Sequence, residues 1–197
     1  MTTPHIPCLR FGDPYRSFNE SSVKDYRDGS TKATLSQVNA GVIRRDLMQT
    51  GKARSALEKF STRELVDISA KAGELFLNAD LPLDQTGELQ SAGDYLDTLS
   101  STSGLPHVMV KRNMDKIHYA LTHLELILNG LTRGIDFSIL DQGHGEQAGA
   151  PVCFYPTTDA LGLVMPSNSP AVNSLWLPSI ALKIPIVMKP GRDEPWT

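Results

Sequence analysis

The sequence predicts an α/β protein: a helix-rich amino-terminal region, followed by the first strand–helix–strand unit of a parallel sheet whose domain is incomplete within these residues. Two apolar runs and the stretch between them carry that expectation. Leu161 to Met165 is short, has little polarity and stops at Pro166, as a strand buried on both faces does. Ile184 to Met188 is a second such run, and Ala171 to Lys183 between them has the length of one covering helix. Two buried strands joined by a helix cross over right-handedly into a parallel sheet. In open sheets of this kind ligands gather where strands end and helices begin. The polar residues stand at those two places: Ser167, Asn168 and Ser169 after the first run, and Lys189, Arg192 and Glu194 after the second.

The rest of the chain is read in order. Residues 1–34 mix Pro, Ser, Asp and Arg with the aromatics Phe11, Tyr15, Phe18 and Tyr26, without a period. They read as an extended or partly disordered arm, packed on the body or on a partner, and residues 35–197 as the body. From Leu35 to Lys59 the positions Val38, Val42, Leu47 and Leu57 fit helix spacing, with Gly51 as the break. Ser61-Thr62-Arg63-Glu64 is a capping box, in which hydroxyl and carboxylate satisfy each other's backbone amides. Behind it Leu65, Ile68, Ala72, Leu75 and Phe76 make one apolar face, so a helix is expected to about Asn78. Leu83 to Leu99 reads as a helix interrupted near Gly87 and Gly93, and residues 100–106 as a loop. The longest helix is expected over Lys111–Leu131, where Met114, Ile117, Leu121, Leu124, Leu128 and Leu131 recur every three or four positions, closed by Gly130 or Gly134. Residues 143–149 read as a loop, and Val152 to Tyr155 alternates like a strand.

Composition excludes several classes. A length of 197 residues allows a sizeable core, and 40% apolar with 21% charged residues is ordinary for a globular protein. A net charge of −3 lacks the basic excess of a nucleic-acid binder. No apolar run reaches the length of a membrane span, and the opening Met-Thr-Thr-Pro-His-Ile-Pro-Cys lacks the layout of a secretory signal. Cys8 and Cys153, the two cysteines, lie far apart, which fits a reducing cytoplasm and offers no C-x-x-C metal spacing. No metal site is expected. His118 and His123 are five apart on the expected helix and so on different faces, and His144-Gly145-Glu146 lacks the cysteine pair that zinc chemistry needs. No phosphate-cradling glycine loop is present.

Two residues stand out for chemistry. A side-chain amide at Asn168, in a loop bounded by Pro166 and Pro170, suits a donor aimed at a developing oxyanion; it equally suits a cap for a helix beginning near Pro170. Lys189 leaves a strand at its carboxyl end, where a long stem with three donors suits ribose hydroxyls or a phosphate; a solvated lysine is the plain alternative.

Pro166-Ser167-Asn168-Ser169-Pro170, then Trp176, then Lys189-Pro190 with Pro195 six residues past the lysine, resemble the Pro-Trp-Asn-x-Pro … Lys-Pro-Ser-Glu-x-x-Pro signature of aldehyde dehydrogenases. The resemblance is strongest over 160–195 and extends loosely back to about Leu35. It implies the amino-terminal part of a Rossmann-like NAD(P)-binding domain, in which Asn168 supports the oxyanion and Lys189 meets the adenosine ribose, with Pro166, Ser167, Arg192 and Glu194 as the other cofactor-side residues. It also implies that the nucleophilic Cys and general-base Glu lie beyond the Lys-Pro motif, so oxidation by this polypeptide alone is not expected. Cys153 does not sit where that nucleophile belongs.

The departures are specific. Gly191 and Arg192 replace Ser-Glu. A carboxylate there favours NAD and an arginine pairs with the 2′-phosphate of NADP, so Arg192 tilts the expectation toward NADP, with Glu194 near enough to take the carboxylate role. Ser167 replaces the bulky Trp beside the substrate channel. The stretch between Asn168 and Lys189 is about two residues shorter than in the family, so Trp176 reads as core. The expectation is an amino-terminal part of an aldehyde-oxidising NAD(P)-dependent enzyme. Its alternatives are an acyl-CoA reductase of the same superfamily and a non-catalytic nucleotide-binding or interaction module. Self-association, or association with the remainder of the enzyme, is expected because two strands leave an open sheet edge.

Overall fold

The computed structural model describes residues 3–83 and 87–197. The segment expected as an arm carries five short strands. β1 (His5–Ile6) pairs in parallel with β5 (Thr31–Ser36), and β4 (Glu20–Lys24) pairs antiparallel with β5 on its other side. β2 (Cys8–Arg10) and β3 (Asp13–Tyr15) form a separate hairpin. Its turn is Phe11 and Gly12, both at positive φ, matching the twist of a two-residue hairpin. The His5 ring holds the amino end: one nitrogen bonds the Thr34 hydroxyl at 2.8 Å and the other the Ser36 hydroxyl at 2.9 Å. Val23, Ala33 and Leu35 from these strands enter the largest core cluster. The division at residue 34 therefore falls inside β5.

The helical layer follows. α1 (Ala40–Leu47) and α2 (Thr50–Leu57) divide at Met48–Gln49, while Gly51, the expected break, lies within α2. α3 (Thr62–Asn78) starts on the expected capping box and ends at the expected residue. Its buried face is not the expected one. Thr62, Leu65, Val66, Ser69 and Gly73 are buried, whereas Ile68 is 50% and Leu75 43% exposed. The reason is helix approach: a Cβ at Gly73 would lie 2.9 Å from the Leu121 Cβ, so the small residues of α3 receive its neighbour.

The expected helix over 83–99 is present only from Ala92, and it continues into the loop expected over 100–106. A hairpin of β6 (Leu81–Pro82) and β7 (Leu89–Gln90) precedes α4 (Ala92–Ser103), which begins on a second capping box, Ser91 with Asp94, and ends on Gly104 at positive φ. Part of that expected helix, residues 84–86, lies outside the described residues.

The longest expected helix is two. α5 (His107–Thr122) starts just after Pro106, and α6 (Leu124–Thr132) follows across His123, whose backbone leaves the helical region. The Thr122 hydroxyl donates to the His118 carbonyl at 2.9 Å, a local bond that bends helices, and the His123 ring stacks on Tyr119 with centroids 4.0 Å apart. Arg133 and Gly134, both at positive φ, close α6.

α7 (Phe137–Gln142) leads into a hairpin of β8 (His144–Gln147) and β9 (Ala150–Cys153) around Ala148 and Gly149. The expected loop over 143–149 is thus mostly a strand, and the strand expected to reach Tyr155 stops at Cys153.

β10 (Leu161–Val164) and β11 (Ile186–Lys189) are parallel neighbours, with Leu161 opposite Ile186 and Val164 opposite Lys189. Between them stands a 3-10 turn over Pro170–Leu175 and a short α8 (Leu177–Ala181), not one covering helix. Pro178 near the start of α8 removes the backbone donor a continuous helix needs. Leu177 packs on α5 and Ala181 on α3 and α6, which fixes the connection against the helical layer. Lys183 then adopts positive φ, unusual for a side-chain-bearing residue, and its ammonium reaches Asp141 at 2.8 Å. Burial pushes the Asp141 carboxyl up, but bonds from Lys183 and from the Thr62 hydroxyl and amide outweigh it and hold it below the usual carboxylate range. Neither strand is buried on both faces as expected: Gly162 and Val164 of β10 are open to solvent.

The approach at Gly73 is directly testable. Gly73→Ala is expected to lower stability by about 1–3 kcal/mol, the usual range for overpacking, read as a lower midpoint of urea unfolding with unchanged slope.

Candidate functional site

The segments that follow β10 and β11 leave the same end of the sheet, because the two strands are parallel and in register. The Met165 amide donates to the Lys189 carbonyl at 2.9 Å, extending the pairing to the point where both chains turn away. Beyond it, Gly191 presses on the other segment. A Cβ there would meet the Pro166 carbonyl oxygen at 2.5 Å and the Ser167 Cα at 3.0 Å. Glycine is the residue that permits this backbone-to-backbone approach. One residue further on, the Asp193 amide donates to the Ser167 hydroxyl at 3.1 Å. The Asn168-bearing and Lys189-bearing loops are therefore joined side by side.

Asn168 is exposed and, among the described residues, makes no hydrogen bond. It does not cap the turn that follows; Ser169 occupies the cap position, without a side-chain bond. Lys189 is exposed, and its ammonium has only a 3.5 Å contact to the neighbouring Pro190 carbonyl. Arg192 is exposed and touches Asp193 at 3.2 Å, an ion pair open to solvent and of little energy. Pro166 and Ser167 form the wall where the loops meet. Amide, ammonium and guanidinium are thus exposed to solvent, and their polarity suits an anionic or hydroxyl-rich ligand.

Glu194, expected beside Lys189 as a ribose ligand, is a correction. Its side chain turns inward and the residue is 2% exposed. One carboxylate oxygen accepts from the Thr197 hydroxyl at 2.6 Å and from the Thr197 amide at 3.2 Å. Burial pushes the carboxyl up to about 7, against the opposing bonds from Thr197, Asn173 and the Trp196 backbone. It does not face the rim. The carboxylate there belongs to Asp193.

Other residues supporting this end went unread in the sequence. Trp196 is buried in the largest core cluster with Tyr95, Leu99, Val110 and Met114. Its indole donates to the Thr102 hydroxyl at 3.0 Å, which donates to the Asp193 carbonyl at 2.7 Å. Asn173 is buried, donates to the Pro170 carbonyl at 3.1 Å and accepts from the Trp176 indole at 3.1 Å. Trp176 is half-buried against α5 and α8, in keeping with its reading as core. The available signal was a large aromatic one residue after Pro195, since a tryptophan is rarely left in water. Elsewhere, Cys153 is exposed on β9 and His118 bonds Glu74 at 2.9 Å. Among the described residues no group of three metal-ligating side chains converges, and no helix is long and apolar enough to cross a membrane.

No protein-family model matches this sequence, and no curated protein matches it either. Solved structures do. The chain superposes on a betaine aldehyde dehydrogenase from Staphylococcus aureus with a TM-score of 0.67 at 13% identity, over 96% of this chain and 36% of that one. A succinate-semialdehyde dehydrogenase from Burkholderia pseudomallei gives 0.66 at 16% identity, over 97% and 37%. An NAD-dependent benzaldehyde dehydrogenase from Corynebacterium glutamicum gives 0.64 at 16% identity, over 95% and 38%. The chain has the α/β fold of part of an aldehyde dehydrogenase and spans little more than a third of those chains.

The junction of the two loops gives a paired test. Gly191→Ala is expected to cost about 1–3 kcal/mol by forcing the loops apart, measured by thermal unfolding. Gly162→Ala on β10, where an added Cβ meets nothing within 4 Å, is expected to change stability by less than about 0.5 kcal/mol.

Proposed function

We propose that this chain forms part of an aldehyde dehydrogenase-like, NAD(P)-dependent oxidoreductase acting on aldehydes. The observation that supports this most is the pairing of Asn168 and Lys189 on joined loops at the carboxyl ends of two parallel strands. In this reading Asn168 directs its amide at the carbonyl oxygen as negative charge develops there, a contribution that grows with the charge and so acts on the transition state. Pro166 and the Gly191 contact keep the backbone beneath it from moving, so the donor is oriented in advance.

The nicotinamide cofactor, when bound, accepts the hydride. The residues present fit its adenosine half. Lys189 offers an exposed ammonium that forms no ion pair among the described residues, and Arg192 offers a guanidinium whose partner Asp193 is held only through an exposed contact. An arginine at this rim suits a 2′-phosphate, and the inward turn of Glu194 leaves Asp193 as the nearby carboxylate, so NADP is the favoured form. Ser167 stands where a larger side chain would narrow the approach to Asn168, and its hydroxyl is engaged by the Asp193 amide.

A second reading, a non-catalytic interaction module that works by association, is favoured by one observation. The β10–β11 sheet has two strands, and Val164 is 80% exposed. An open parallel edge of this kind recruits a further strand, either from another copy or from the rest of an enzyme.

Calorimetric titration with NADP and NAD separates the readings. NADP is expected to bind more tightly than NAD by roughly tenfold or more, the worth of one charge-assisted bond, and Arg192→Glu to reverse the order. Lys189→Ala is expected to weaken both. Absence of binding by either cofactor, with self-association in gel filtration, supports the module instead.

A further inference from the structure

Glu194 is a buried carboxyl that the proposed chemistry does not use, and its surroundings are unusual. It belongs to the loop that carries Lys189 and Arg192, and its hydrogen bonds run to the two places where that loop is fastened. Thr197 gives it a hydroxyl at 2.6 Å and an amide at 3.2 Å, and the Tyr95 phenol of α4 meets that same Thr197 hydroxyl at 2.6 Å. Asn173, in the turn just after the Asn168 segment, supplies a further side-chain bond, and the Trp196 backbone another. Since the Thr197 proton points at the carboxylate, the Tyr95 hydroxyl is the donor in the second bond.

Every one of these partners is neutral. On α4 the facing titratable group is Tyr95, whose own phenol is pushed above its ordinary range by burial and then by the nearby carboxylate. Trp196, two residues on, packs in the core with Val110 and Met114 of α5 and Val23, Ala33 and Leu35 of β4 and β5. The turn after Asn168 supplies Asn173, and within the loop Asp193 turns to Arg192. Among the described residues no lysine, arginine or histidine pairs with Glu194. Its donors favour the ionised form, but burial without a cation opposes it more strongly, so the proton is held well above the ordinary range.

We propose that Glu194 is the positioning residue of a proton-operated clasp, whose neutral carboxyl keeps the Lys189–Trp196 loop seated against the Asn168 segment and whose ionised form unseats it. The physical path is short. The ionised carboxylate regains water only if the loop opens, and opening breaks its bonds to Thr197 and Asn173. The adjacent Trp196 then loses its place in the core, and the Asp193–Ser167 and Gly191–Pro166 contacts loosen with it. The direction follows from linkage. The unfolded chain releases this proton near the ordinary glutamate value of 4.5 and the folded chain near 7. The stabilising contribution is therefore complete below the first value and is lost as pH rises through the second. This inference rests on the fold and the loop contacts and stands whether or not the chain binds a nicotinamide cofactor.

The chain's two tryptophans, Trp176 and Trp196, both lie in this network, so their fluorescence reports on it. Acrylamide quenching of the full chain is expected to rise in a single one-proton transition centred near 7 as pH increases. In Glu194→Gln, whose amide mimics the neutral carboxyl, quenching is expected to stay at the low-pH level throughout. A Glu194→Gln transition like that of the unsubstituted chain, or a flat unsubstituted chain, overturns the proposal. Should that variant fail to fold, carbon-13 NMR of glutamate-labelled, unsubstituted chain decides. One glutamate carboxyl titrating near 7, in step with the tryptophan signal, supports the clasp; all of them titrating in the ordinary carboxylate range overturns it.

Discussion

Everything this molecule presents at its polar rim depends on the parallel registration of β10 with β11, continued past the strands by the contact of Gly191 with the Pro166 carbonyl. Parallel strands deliver their following segments to one end. Registration decides that those segments leave at the same height, Val164 opposite Lys189. The missing side chain at Gly191 then lets two backbones meet directly, so the loops that carry Asn168 and Lys189 lie side by side. A slip of one residue would turn the side chains to the other face of the sheet and separate the loops.

The helical layer holds this registration from below. α3, α5 and α6 present the surfaces on which Leu177 and Ala181 rest, so the connection between the strands cannot shift without opening two core clusters. Its far end is fastened by Lys183 to Asp141 and through Asp141 to the first residue of α3. On the other side Trp196 carries the outgoing loop into the core built by α4, α5 and the amino-terminal sheet. The junction of the two loops is thus an upper edge of the core, and the residues of the supposed arm are part of what supports it.

How much of this could be read in advance varied with the kind of signal. The capping box at Ser61 and Glu64 fixed the start of α3, because side chains and backbone amides three residues apart make a purely local statement. The two apolar runs and their parallel pairing were legible, since buried strands separated by a crossover have few alternatives. The buried face of α3 was not. Gly73 and Ser69 face the core because α5 comes close, and a small residue admitting a neighbour is indistinguishable in sequence from a small residue in solvent. The division of α5 from α6 turned on Thr122 and His123, neither of which is a helix breaker by itself. β8 was hidden because His144, Gly145, Glu146 and Gln147 have no strand-forming composition; pairing with β9 makes them a strand. In the segments after the two strands Asn168, Lys189 and Arg192 are exposed, while Glu194 turns inward. Its direction is set by Thr197, Tyr95 and Asn173, which come together only after folding.

The measurement that bears most directly on this account is the set of long-range proton–proton contacts seen by NMR across the end of the sheet. A parallel pattern joining residues 161–164 to 186–189, together with contacts from the Gly191 α protons to the Ser167 α proton, is the predicted result. An antiparallel or absent pattern, or a Gly191 without contact to Ser167, would place the Asn168 and Lys189 loops apart and contradict their junction.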